Sequence, residues 1–253
     1  MRHGRAGEAA ASLALLAGLV ALWWLASAFG WVSRAFLPSP AVAAATLVQG
    51  LSDGPLAAFT ASTLGRMVVG WLLAGLLGVA LGTLVGSSAA ARAWLQPTLE
   101  FVRPLPASAL IPLAVAVFGL SAGMVLAVVA VGAMWPVLLA TIHGISSVHP
   151  RLAEVGQALQ LGRTRFALNI ALPHAVPDIL SGMRLALTVS LIVSVVGEMV
   201  ASQSGLGQAI LLAARSYQSG ELFAGVALLG AIGFASNTVL ALCEARLLRW
   251  QRP

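Results

Sequence analysis

The sequence predicts an all-α, polytopic membrane protein with six transmembrane helices. Both termini lie on the inner side, and a short surface helix lies on the inner loop between helices 4 and 5. Three observations carry this. Of 253 residues, 59% are hydrophobic and only 9% charged, with a mean hydropathy of +0.95. Soluble domains carry about 25% charged residues, and a fold of this length leaves too much surface exposed to hide so apolar a chain from water. Second, uncharged runs recur, and each transmembrane helix needs about 20 such residues. Third, the arginines crowd the segments on one side of those runs. The composition excludes a soluble enzyme, a disordered chain and a nucleic-acid-binding domain.

The spans follow in order. Residues 9–29 are uncharged and include Trp23 and Trp24. A basic start (Arg2, His3, Arg5) and Ala26-Ser27-Ala28 also resemble a signal peptide. The run exceeds the usual apolar region of about 7–15 residues and five more spans follow, so a retained helix is expected. Residues 33–60 form an outer connector broken at Pro38 and Pro40, with a short helix over 41–51. Residues 67–91 make the second span. Residues 104–150 contain no Asp, Glu, Lys or Arg, which leaves room for spans three and four, with a turn at 119–123. The fifth span covers 177–200 and the sixth 222–243. A β-barrel is excluded because the runs lack two-residue alternation. The whole chain, 1–253, reads as one transmembrane domain: a first helix and connector over 1–59, and a core over 60–250 that contains the inner loop 143–176.

Orientation comes from arginine. All fourteen basic residues are arginines. With the N-terminus inside, the inner segments hold nine (Arg2, Arg5, Arg92, Arg151, Arg163, Arg165, Arg246, Arg249, Arg252) and the outer segments two (Arg34, Arg215). Positive charge is retained on the inner side of membranes, so both termini are expected there.

The long inner loop carries its own pattern. Ser146-Ser147-Val148-His149-Pro150 supplies helix-capping residues and a proline suited to a first helical position. Glu154 is expected in the first turn, Leu152, Val155, Leu159 and Phe166 keep roughly helical spacing, and Arg163 and Arg165 fall near the helix end. Leu172-Pro173 and Pro177 are expected to stop the pattern before span five.

Glu154, followed by Ile170, Leu172 and Pro173 at offsets of 16, 18 and 19, resembles the EAA loop of ABC-importer permeases. That loop reads Glu-Ala-Ala, then Gly at offset 6, then Ile-x-Leu-Pro. Here Val155 and Gly156 stand at the two alanines and Gln160 at the glycine, with Gly162 two residues later. Arg103-Pro104-Leu105-Pro106, residues 109–113, Phe118-Gly119-Leu120, Gly197-Glu198-Met199-Val200-Ala201 with Gly205-Leu206-Gly207, and residues 244–250 are similar to the nitrate, sulfonate and taurine branch. The likeness covers roughly residues 60–250. It implies a permease subunit of the bacterial inner membrane, driven by separate cytoplasmic ATPases and fed by an extracytoplasmic binding protein. It also implies a second permease copy and alternating access. Glu154, Val155, Gly156, Leu159, Gln160, Gly162, Ile170, Leu172 and Pro173 would form the ATPase-coupling surface. The substrate it implies is nitrate, a sulfonate or taurine; close relatives carry pyrimidine-type vitamin precursors.

Other residues bear on competing functions. No P-loop and no lysine are present, so the chain offers no ATP site of its own. The lone Cys243 forms no intramolecular disulfide, the four histidines keep no metal-ligand spacing, and neither metal nor cofactor is expected. An intramembrane enzyme would need clustered His, Asp or Ser groups, and Asp53 and Asp178 have no convincing neighbours. A scaffold subunit is the third class. Arg103, Arg184 and Glu198 are candidates for the pathway or its gate. Each has a plainer reading: Arg103 as a partner of Glu100 or lipid phosphate, Arg184 as a snorkelling interfacial charge, and Glu198 as the brace of the 205–207 bend. Arg184 and Glu198 lie about 40° apart around a helix but about 21 Å along it, too far to pair. Arg66 reads as an anchor at the outer start of span two, and Gly78-x-x-x-Gly82 as a close helix-packing motif.

Overall fold

The computed structural model describes residues 2–102 and 104–249, and among these every regular element is helical. The helices are α1 (Arg2–Ala28), α2 (Pro40–Ser52), α3 (Leu56–Gly86), α4 (Ala89–Val102), α5 (Ile111–Phe118), α6 (Ala122–Ser146), α7 (Pro150–Ala158), α8 (Arg163–Phe166), α9 (Leu172–Ala201), α10 (Leu206–Arg215) and α11 (Ser219–Leu247). Four stretches of the described residues are long and apolar enough to cross a membrane: Leu56–Gly86, Ala122–Ser146, Arg163–Ala201 and Ser219–Leu247.

The expected third span differs. A 3-10 turn (Ala107–Leu110) of 4 residues leads into the 8-residue α5. Together they rise about 20 Å, short of the hydrocarbon core of about 30 Å. Pro104 and Pro106 separate them from α4, because proline disfavours the α conformation in the residue before it and cannot continue the helical bonds. The turn after α5 falls where it was expected. Gly119 closes the helix at φ 64°, a left-handed conformation suited to glycine, and the Ser121 hydroxyl caps α6 by accepting from the Met124 amide.

Span five also differs. Leu172-Pro173 and Pro177 do not stop the helix, which runs from Arg163 to Ala201. A π turn over Ala167–Ala171 joins α8 to α9, and Pro173 stands in the first turn after it. A first-turn proline needs no amide partner, and the wide turn before it relieves the clash its ring would otherwise make with the preceding carbonyls. Pro177 sits inside α9, where it removes one backbone donor.

The chain divides into two compact units. The first holds the residues up to Phe59 together with Ala209–Gly230. There the short helix expected over 41–51 is α2, capped by Ser39 with Pro40 inside its first turn, and the Trp23 indole donates to the Pro38 carbonyl at 2.9 Å. The Trp23 ring also stacks on Phe223, with centroids 5.3 Å apart.

The second unit holds Thr60–Gln208 and the chain from Ala231 on, and α6 is its axis. Met124, Val125 and Val129 of α6 are buried with Ile111, Val193 and Ala201, and Ala133, Val137 and Leu138 with Ala74 and Ala186. The packing is set by small residues. Gly70, Ala74, Gly78, Gly82 and Gly86 form one buried ridge of α3 at four-residue spacing. A Cβ on Gly78 would lie 2.7 Å from Val137 Cβ, and one on Gly82 would lie 2.6 Å from Thr141 Cβ. The Gly78-x-x-x-Gly82 motif thus serves a longer seam with α6 of the same chain. Such seams let backbones approach where lipid removes the usual hydrophobic drive. Leu72, Leu76 and Leu84 on the opposite side of α3 are exposed, as suits a lipid-facing surface.

Candidate functional site

The loop helix α7 is built by local signals. The His149 imidazole accepts from the Arg151 amide, and Pro150 fills the first position. Its end is a Schellman motif. The Leu161 amide donates to the Gly156 carbonyl at 3.0 Å and the Gln160 amide to the Gln157 carbonyl at 2.9 Å. This forces Gln160 to φ 48°, in the left-handed region. The EAA glycine position is therefore the helix terminator, and Gln160 holds it at a steric cost that glycine avoids. Gln160→Gly is expected to stabilise this turn by about 1 kcal/mol. Slower hydrogen exchange of the Leu161 amide would show it; unchanged or faster exchange would contradict it.

Two expectations shift here. Glu154 is the fifth residue of α7, past the first turn. Arg163 and Arg165 open the next helix rather than closing this one, because the Gln160 turn ends α7 first.

The faces of α7 separate cleanly. Leu152, Val155 and Leu159 are exposed, with Glu154 beside them, and no ion pair involves Glu154 among the described residues. Gly156 is buried on the other face, where a Cβ would lie 2.6 Å from the Phe166 ring and 3.7 Å from Ile170 Cδ1. Phe166 and Leu172 pack in turn on Ile145, Ala171 and Ala175. The fold thus brings Gly156, Ile170 and Leu172 into one packed base that holds the exposed face of α7 outward. Pro173 is exposed, and Gly162 starts α8 at φ −64°, a conformation open to any residue.

A second constellation surrounds Glu198 in the last turn of α9. The residue is fully buried. Its Oε1 accepts from Arg66 Nη1 at 2.7 Å, and its Oε2 accepts from the Thr63 hydroxyl at 3.0 Å and the Gly207 amide at 2.9 Å. Thr63 Oγ1 also accepts from the Leu206 amide at 2.9 Å. One carboxylate therefore ties α3 to the end of α9 and the start of α10. Gly205 and Gly207 permit this approach, since a Cβ on Gly205 would meet Glu198 Oε1 at 2.6 Å. Arg66 is an inward partner, not a free outer anchor. Arg66 lies at the expected start of span two and Glu198 near the expected end of span five, hence at one membrane level, and that shared level was the available signal for their pairing.

Arg184 pairs with Glu244, which also brings the C-terminal end of α11 to α9. Arg103 lies outside the described residues. An open groove of 720 Å³ runs along α6 and α9. Its wall is apolar and includes Trp135, Leu139 and Leu185, with His143, Asp178 and Ser181 as its polar members.

A helical chain with several stretches fit to span a bilayer and an outward-held loop helix defines a multi-pass membrane protein. Residues 74–252 match the family described as "Binding-protein-dependent transport system inner membrane component". The chain belongs to that family and is the permease component of an ABC importer. It is 32% identical over 239 residues to a Bacillus subtilis (strain 168) chain bearing the name of an aliphatic sulfonates transport permease, SsuC, covering 94% of this chain and 87% of that one. To the taurine transport system permease protein TauC of Escherichia coli (strain K12) it is 30% identical, over 94% of this chain and 89% of that one. The nitrate import permease protein NrtB of Leptolyngbya laminosa is 29% identical over 74% of this chain and 67% of its own. A chain from a crystal structure of an amino acid ABC transporter with histidines matches with a TM-score of 0.62 at 18% identity, over 80% of this chain and 97% of that one. That likeness concerns the fold.

Proposed function

We propose that the protein is the inner-membrane permease of a sulfonate-, taurine- or nitrate-type importer, with six spans of which the third, at α5, is a short one, and that it works as a homodimer. The N- and C-termini and α7 face the cytoplasm, where an ATPase docks; a binding protein delivers substrate on the other side. The observation that carries the docking reading is the exposed strip of Leu152, Val155 and Leu159 with Glu154, on a helix braced from behind by Phe166. An amphipathic helix of this kind suits a groove on a partner. ATP-driven closure of two ATPases would move the paired loop helices and switch the side to which the pathway opens. The symmetric pair is the default for such an assembly.

The substrate class rests on the relatives' names. A pyrimidine-type precursor is the second reading, favoured by the groove. Trp135 and Asp178 suit a flat nitrogenous ring better than an oxyanion, which the carboxylate would repel.

The test is co-purification with the ATPase, together with stimulation of its turnover by binding protein and substrate. Failure of every ATPase to bind would remove the docking reading. Topology is checked separately: reporter fusions near residues 120 and 210 should read outside, and one near 160 inside. An external signal at 160 would invert the orientation.

A further inference from the structure

We infer that the cavity under α7 is a binding site for a tetrahedral oxyanion, a phosphate or sulfate group, held by Arg92 and Arg163. The cavity measures 330 Å³, at the small end of the ligand-pocket range of about 300–1,000 Å³. Arg92, Arg163, Ser87, Ser146 and Gln157 supply its polar wall, and no carboxylate lines it. Among the described residues neither arginine has an acidic partner. Arg92 is half-buried and steadied by donating one Nη1 bond to the Gly86 carbonyl at the end of α3, which leaves its other donors for a ligand. The Arg163 side chain is exposed and in no ion pair among the described residues, so its planar fork is available. The two hydroxyls donate only to nearby backbone carbonyls, Ser87, just past α3, to Thr83 and Ser146 to His143, and can turn to an anion.

Two guanidinium groups lining one cavity without an acid repel one another, and a ligand oxyanion removes that cost through charge-assisted bonds. The cavity also explains what such a ligand would do. One wall is the inner face of α7 at Ala153, Gly156 and Gln157, and the other is the end of α3. An anion bridging Arg92 and Arg163 would hold the loop against the helix ends it must move with. That consequence rests on the docking reading above; the site itself does not. The anion has two possible sources with the same chemistry: a free phosphate or sulfate, and the headgroup phosphate of an anionic lipid.

The experiment uses the purified full chain in phosphatidylcholine nanodiscs, with thermal unfolding followed in sodium phosphate and in sodium chloride at equal ionic strength. Phosphate should raise Tm with saturation at low millimolar concentration, since a ligand that binds only the folded state stabilises it. General salting effects of phosphate do not saturate and do not depend on two arginines. Arg163→Gln, an exposed change that threatens no packing, should weaken the response roughly tenfold. Arg92→Gln/Arg163→Gln should abolish it, while Arg151→Gln, outside the cavity, should leave it intact. Replacing part of the phosphatidylcholine with phosphatidylglycerol distinguishes the sources. A higher starting Tm with no further phosphate response identifies the lipid headgroup, and a persisting response identifies the free anion. The inference is overturned if neither phosphate nor phosphatidylglycerol raises Tm, or if both responses survive in Arg163→Gln unchanged. Neither readout involves the ATPase, so a failure here is separate from a failure of docking.

Discussion

Glu198→Leu is expected to destabilise the folded chain by about 3–5 kcal/mol, the cost of breaking a buried ion pair from one side. Leucine would leave the Arg66 guanidinium, only 15% exposed at its side chain, without its carboxylate. It would also strip acceptors from the Thr63 hydroxyl and the Gly207 amide. The double change Arg66→Met/Glu198→Leu should recover part of the loss, because removing both charges leaves no orphan ion. Glu198→Gln should be milder than leucine, since its carbonyl can still accept from Thr63 or Gly207. Thermal unfolding of the purified variants measures all three. A gate or pathway role makes a different forecast: normal stability in Glu198→Leu with uptake lost. Equal stability of wild type and Glu198→Leu would therefore move the residue back toward the pathway.

The helical class and the element order were legible because they rest on run length, arginine placement and caps, all of which are local. Ser146-Ser147-Val148-His149-Pro150 marks the start of α7 in the sequence as in the fold, whereas Pro40, read as a break before a helix over 41–51, lies inside the first turn of α2. Proline was the misleading signal. Pro104 and Pro106 cut the third expected span short, whereas Pro173 and Pro177 were absorbed by a helix that a π turn had already widened. The same residue type stops or continues a helix according to its neighbours, and those neighbours are not periodic. The polar pairs were hidden for another reason. Arg66 and Glu198 stand 132 positions apart, and Arg184 and Glu244 stand 60 apart. No spacing rule reaches that far; only depth in the bilayer links such residues. At the loop, the match to a family pattern singled out residues on and around α7, while their packing and exposure came only from the fold. The glycine position proved to be a left-handed helix end, now held by Gln160, and the two residues after Glu154 proved to face opposite ways.

Gly156→Arg is expected to leave the chain inserted in the membrane yet unable to retain its ATPase. The reason lies inside the chain. Gly156 faces the Phe166 ring, so even the first added carbon meets it at 2.6 Å. Nothing but glycine fits unless the ring or the helix moves. An arginine there must either drive α7 off its base or bury its charge among Phe166, Ile145 and Ala171. Overpacking alone costs about 1–3 kcal/mol, and burying the guanidinium adds more. Moving the helix is the cheaper course, and it displaces Leu152, Val155 and Leu159 together. Gly156→Ala should show the same defect at lower amplitude. Glu154→Ala should cost only about 1 kcal/mol of docking, as an exposed charge contact does. The deciding variant is Gly156→Ala/Phe166→Leu. If the clash is within the chain, the smaller side chain makes room and ATPase recovery rises toward wild type. If Gly156 instead meets the ATPase directly, trimming Phe166 changes nothing, and recovery stays at the level of Gly156→Ala. Equal recovery for wild type and Gly156→Arg would sink both versions, because α7 would then not be the coupling surface.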